Sequence, residues 1–94
     1  MSVLSDAEIE SRLDGVPDWQ AAEGRSIVRE LTFADFAAAI AYVEKVAAAA
    51  ELANHHPDIL VHGWNKVRLT LSTHSQGGLT DADFQLAEQI DRLA

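Results

Sequence analysis

The chain has no cysteine. That excludes a disulfide framework, thiolate chemistry and any zinc site built on thiolates. It has only seven basic residues against fifteen acidic ones, a net charge of −8. A field of that sign repels phosphate backbones and anionic lipid, so neither direct nucleic-acid binding nor membrane docking is expected. It favours a neutral or weakly charged small molecule over a polyanion. No apolar run approaches the roughly 20 residues needed to span a bilayer. The opening MSVLSDAEIE has neither the basic nor the apolar region of a secretory signal. A cytoplasmic protein is the expectation.

What is present is one domain's worth of chain: 94 residues, 48% of them hydrophobic. A domain of this size buries roughly 60–65% of its unfolded surface, which leaves little margin. Such domains often gain stability by assembling, so a homodimer or homotetramer is expected.

Ser5-Asp6-Ala7-Glu8 has the pattern of a capping box. Leu4, Ile9 and Leu13 then fit one side of a short helix, which Gly15 and Pro17 end. Trp19 to Ala22 and Arg25 to Thr32 read as two strands of a hairpin around a Glu23-Gly24 turn. Ile27, Arg29 and Leu31 share one face of the second strand. Thr32 or Asp35 caps a long helix in which Phe33, Phe36, Ala37, Ile40, Val43 and Ala47 recur at helical spacing. Pro57 disfavours the helical conformation at His56, so this helix should end near Asn54.

Asp58 to Val61 reads as a short strand, His62-Gly63 as a turn and Trp64 to Thr73 as a longer strand. Asn65, Val67, Leu69, Leu71 and Thr73 alternate with Trp64, Lys66, Arg68, Thr70 and Ser72. The first set should face the helices and the second should lie open. Gln76-Gly77-Gly78 is a loop, and Thr80-Asp81-Ala82-Asp83 caps a last helix with Phe84, Leu86, Ala87 and Ile90 inward. The order α-β-β-α-β-β-α predicts an α+β fold: a four-stranded antiparallel sheet with helices packed on one face.

All four histidines, His55, His56, His62 and His74, fall between Glu51 and Thr80. Imidazole transfers protons near neutral pH, and three of the four stand at element ends, where side chains project from a rigid frame. His55 and His56 follow a helix C-terminus, whose carbonyls favour a positive neighbour.

The blocks Glu51-xxx-His55-His56-Pro57, Trp64-Asn65-Lys66-Val67, Thr73-His74-Ser75 and Gly77-Gly78-Leu79-Thr80 resemble those of pterin-4a-carbinolamine dehydratases. The predicted element order extends that resemblance over nearly the whole chain. The resemblance implies loss of water from a 4a-hydroxytetrahydropterin to give a quinonoid dihydropterin, in tetrahydrobiopterin recycling. It puts the catalytic histidines on His55, His56 and His74. It makes Glu51, Pro57, Trp64, Thr73, Ser75 and Gly77 the substrate-binding residues. His56 and His74 would serve as acid and base, and His55 would orient the pterin. No metal or redox cofactor is implied, and the implied partner is the pterin itself. Two departures are visible: the Pro57-to-Trp64 spacing is one residue longer than in many members, and Asn54 stands where animal members tend to have Asp.

Each of these residues also has a plain structural role open to it. His55 alone reads as a helix C-cap, His74 as a polar strand end and Trp64 as a half-buried strand residue. Glu51 is a solvated helix charge or a histidine's partner. Zinc ranks low because adjacent His55 and His56 do not easily aim at one ion and no His-x-x-x-His spacing occurs. Some relatives in the resembled family serve instead as assembly or dimerisation factors. That non-catalytic role is the alternative reading, and the three retained histidines favour the enzyme.

Overall fold

The computed structural model describes residues 3–23 and 25–93. Its elements are α1 (Asp6–Leu13), β1 (Gln20–Ala22), β2 (Ser26–Thr32), α2 (Phe36–Ala53), β3 (Asp58–His62), β4 (Lys66–Leu71), a 3₁₀ turn (His74–Gln76) and α3 (Asp81–Asp91). The four strands form one antiparallel sheet in the order β1-β2-β4-β3. The fold is α+β, with the expected order of helices and strands.

Register decides which side chains are buried. Ile27 faces Leu71, Arg29 faces Leu69 and Leu31 faces Val67, while Ile59 and Val61 of β3 face the same Leu69 and Val67. Facing residues share a side of the sheet. This side meets the helices, and Ile27, Val67, Leu69 and Leu71 are fully buried there with Phe84, Leu86, Ala87 and Ile90 of α3. The opposite side carries Glu30, Lys66 and Arg68, all exposed, and no described helix covers it.

Local chemistry sets the helix ends. At α1 the Ser5 hydroxyl accepts from the Glu8 N–H, and the Glu8 carboxylate accepts from the Ser5 N–H at 3.0 Å. The Ser5 hydrogen bonds, that of its backbone foremost, hold the Glu8 carboxyl below the usual range. Asp35 caps α2 by accepting from the Ala38 N–H at 2.8 Å.

Several boundaries differ from the sequence reading. Arg25 is not in a strand: it adopts φ 57° in the hairpin turn. The predicted Glu23-Gly24 turn involves Gly24, which lies outside the described residues. In α2 the buried stripe is Ala39, Tyr42, Val46 and Ala50, whereas Phe36, Ala37 and Ala47 are exposed. Alanines line most of this helix, so two apolar stripes competed, and the one bearing Tyr42 and Val46 fills the space above the sheet. His62 ends β3 instead of turning the chain, and the hairpin loop is Gly63 to Asn65.

Two polar groups lie under the helices. Arg29 is held by Asp91 at 2.5 Å, and the Trp19 indole N–H donates to the same carboxylate oxygen at 2.8 Å. This ties the end of α3 to the sheet. Tyr42 is buried, and its hydroxyl has no hydrogen-bond partner among the described residues. Burial pushes its pKa up, with the charge of Arg29 opposing. A raised value means that the folded state holds this proton more tightly than the unfolded chain. The resulting stability is present below the ordinary tyrosine value, about 10, and is lost as pH rises past it. Tyr42→Phe should therefore abolish that alkaline loss. It should also raise the neutral-pH midpoint by a few degrees, since an unpaired buried hydroxyl costs about 1 kcal/mol or more. Thermal melts at pH 7 and above pH 10 check this; a lowered midpoint for the variant at both would contradict it.

Candidate active site

α2 ends because Asn54 takes the left-handed conformation, φ 50°. The His55 N–H donates to the Ala50 carbonyl and the Asn54 N–H to the Glu51 carbonyl, a Schellman closure. The departure at Asn54 thus has a local reason, because Asn tolerates positive φ better than most side chains. The turn throws His55 and His56 off the helix in succession, and Pro57 leads into β3.

His55 points inward. Its Nε2 lies 2.5 Å from Asp83 Oδ1, and Asp83 is 0% exposed. The other Asp83 oxygen accepts from the Thr73 hydroxyl at 2.7 Å and the Thr80 N–H at 2.9 Å. The Thr73 and Thr80 hydroxyls are 2.8 Å apart. An ionised carboxylate only accepts, so the hydrogen of this contact sits on His55 Nε2 and leaves Nδ1 as the ring's other working atom. His56 points outward, and its Nε2 is hydrogen-bonded to the Glu51 carboxylate; both are exposed. Each of two adjacent imidazoles therefore has a carboxylate behind it. Such a pairing fixes the orientation of each ring.

β4 delivers the third histidine. Thr70 faces Asp58, so the chain beyond β4 runs past the Pro57-His56 end of β3. Thr73 then bonds Asp83, and exposed His74 follows it directly. The loop is pinned by paired hydrogen bonds between Thr73 and Gly78 and by Gly77, whose φ of 72° suits glycine. Ser75 and Gly77 are exposed on this loop. Glu51, His55, His56, Pro57, Thr73, His74, Ser75 and Gly77 are thus at one end of the sheet.

Trp64 is not among them. It sits at the far end of β3, beyond a strand roughly 16 Å long, in a turn where it is 60% exposed with φ 59°. As a wall for the pterin beside its own subunit's histidines it is misplaced, because the hairpin turn carries it away. The sequence reading also missed the role of Asp83. Its place in the Thr80-Asp81-Ala82-Asp83 cap holds, since it accepts from the Thr80 N–H, but its other oxygen serves His55. A carboxylate three residues after a cap threonine, in a chain with a nearby histidine pair, was the available signal.

A cleft of about 610 Å³ lies elsewhere, between α1, the end of β1 and Leu79. It includes Arg25 and Glu10 but no histidine, so it lacks an acid-base pair for neutral pH. Among the described residues, no three histidine or carboxylate side chains converge as metal ligands do. No helix of the described residues is long and apolar enough to cross a membrane.

The family model described as pterin 4 alpha carbinolamine dehydratase matches residues 2–93. A relative from Chloroflexus aggregans with the provisional name pterin-4-alpha-carbinolamine dehydratase is 50% identical over 93 residues, covering 99% of this chain and 98% of the relative. One from Nocardia farcinica with the same provisional name is 52% identical, covering 98% and 95%. The solved structure of a Brucella melitensis protein described as a transcriptional coactivator/pterin dehydratase superposes with TM-score 0.92 at 33% identity, covering 99% of each chain. A pterin dehydratase-like protein described as a RuBisCO assembly factor in the alpha-carboxysome is more distant, with TM-score 0.66, 26% identity and coverage of 81% and 86%. With the match running from end to end, this chain belongs to the pterin 4 alpha carbinolamine dehydratase family.

Proposed function

We propose that the protein removes water from a 4a-hydroxytetrahydropterin by histidine acid-base catalysis. In this step the C4a hydroxyl takes a proton and leaves as water. The proton on N5 is lost, and the C4a–N5 bond becomes double, giving the quinonoid dihydropterin. One group must give a proton and another must take one, and each such transfer contributes roughly 10²–10⁴-fold. The observation that carries the reading is the pair of adjacent imidazoles, each hydrogen-bonded to a carboxylate, at the end of the sheet to which β4 leads His74. His56 and His74, both exposed, act as acid and base. His55, held by Asp83, orients the ring system, and the loop of Ser75 and Gly77 supplies polar contacts to its edge. Recycling of tetrahydrobiopterin in the cytoplasm is the setting proposed for this reaction.

The assembly-factor reading has one specific observation behind it, the likeness to the carboxysome protein. That likeness is weaker in both identity and coverage than the likeness to the Brucella protein. A crystal soaked with a dihydropterin separates the two. The expected result is density beside His55, His56 and His74. Density confined to the cleft between α1 and β1, or none at millimolar ligand, would overturn the proposal.

A further inference from the structure

The first helix leaves a gap that the others do not. α2 and α3 each bury several residues fully, whereas α1 buries none. Its apolar side, Ile9 and Leu13, is only half-buried. Ala21 of β1 faces the same space, and its methyl group is too short to close it. Leu4 and Leu79 complete the apolar lining. The result is the cleft of about 610 Å³, within the range of about 300–1,000 Å³ usual for small organic ligands.

Charge is spread unevenly around this cleft. Asp6 and Glu10 line it from α1, one turn apart, beside Ile9 and Leu13. Arg25 lines it from the hairpin loop between β1 and β2. Arg12, Arg29 and Arg68 each have a carboxylate within ion-pair range. Among the described residues Arg25 has none, in a chain with fifteen acidic side chains. Its hydrogen bond to the Gly77 carbonyl is long, 3.4 Å, so most of its five N–H groups remain for a ligand. Its backbone is at φ 57°. In a three-residue hairpin loop the last residue takes this left-handed conformation, and glycine is its usual occupant. Arginine stands there against the preference of the backbone, and such outliers cluster where a side chain is put to use.

These features select a ligand. Two carboxylates against one guanidinium leave the lining net negative, which repels phosphates and dicarboxylates. A purely apolar molecule would strip water from all three charges and give nothing back. A simple amine leaves the guanidinium unmatched, and a simple carboxylate leaves both acids unmatched. A zwitterion with an apolar body meets every group. We propose that the cleft between α1 and the β1-β2 hairpin binds a free amino acid with an aliphatic side chain. Arg25 holds the α-carboxylate, Glu10 and Asp6 hold the α-ammonium, and Leu4, Ile9, Leu13 and Leu79 surround the side chain. The site contains none of the histidines, and the proposal does not depend on the dehydratase reading.

The probe is L-leucine, with isocaproate and isoamylamine as the same skeleton lacking the ammonium or the carboxylate. Amide NMR of the full chain, titrated with millimolar leucine, should show saturable shifts at Leu4, Ile9, Ala21 and Leu79. Each analogue should bind at least about tenfold more weakly, the loss expected for one charge-assisted hydrogen bond. Arg25→Gly should weaken leucine binding to the same degree and keep its thermal midpoint within a few degrees, since glycine suits φ 57°. Ala21→Leu should fill the cleft and block leucine without lowering the midpoint. Glu10→Gln should weaken leucine yet tighten isocaproate, because one repelling charge is gone. Four results would each overturn the proposal. They are no shifts with millimolar leucine, shifts confined to His55, His56 and His74, isocaproate binding as tightly as leucine, and undiminished leucine binding by Arg25→Gly.

Discussion

Asp83→Ala is expected to lower stability by about 3–5 kcal/mol, the usual cost of breaking a buried hydrogen-bonded charge pair. For a domain of this size that is a fall in the thermal midpoint of at least about 12 °C. The reason is the number of partners left behind. The Asp83 carboxylate is fully buried and is bonded to His55, the Thr73 hydroxyl and the Thr80 N–H. Alanine strands all three at once and frees the start of α3, the loop after β4 and the end of α2 together. Asp83→Asn keeps the volume and one acceptor oxygen, so it should cost less, about 1–3 kcal/mol. Its amide nitrogen would face a donor, and the His55 ring would lose the acceptor that fixes it. Turnover per folded molecule should therefore fall, with a changed pH profile, even where Asp83→Asn is fully folded. A midpoint for Asp83→Ala within two or three degrees of wild type would contradict the buried network; an unaltered pH profile for Asp83→Asn would reduce Asp83 to a structural cap.

His56→Ala and His74→Ala should each lower kcat at least about tenfold and leave the fold intact. The two expectations have a common basis. Both side chains are exposed, so truncation strands no buried partner, and thermal midpoints should stay within a few degrees. Acid-base groups act in the transition state, so kcat should fall more than KM rises. His62→Ala is the comparison: the side chain is on the open face of the sheet, 3.7 Å from Glu30, and reaches only a marginal ion pair. His55 needs a gentler change than alanine, because His55→Ala would leave the Asp83 carboxylate buried without its partner. His55→Gln retains a donor and should raise KM more than it lowers kcat. Equal damage from His62→Ala and His74→Ala would refute these assignments.

The fold was largely legible because the strands are patterned. Val67, Leu69 and Leu71 alternate with Lys66, Arg68 and Thr70, and that alternation alone assigns the faces of β4. Capping chemistry at Ser5, Asp35 and Thr80 marked the helix starts. The orientation of α2 was not legible, since alanine fits a helix face of either kind and Phe36 looked like core but is 53% exposed. His55, His56 and His74 share one end of the sheet because a helix stop, a proline and a strand end carry them there, whereas His62 lies at the opposite end of β3. Asp83 was hidden by its local role, as its long-range partner is 28 residues away. Trp64 misled for a related reason. Spacing along the chain put it close to the histidines, and the hairpin turn of Gly63 to Asn65 put it at the other end of the sheet.

The most direct test of the central claim is the rate at which wild-type protein dehydrates a 4a-hydroxytetrahydropterin generated in place, measured against the spontaneous rate in buffer. The predicted result is acceleration at micromolar protein that falls with His56→Ala and His74→Ala and is nearly abolished when both are combined. A wild-type rate equal to buffer, or a double variant as fast as wild type, would contradict the account.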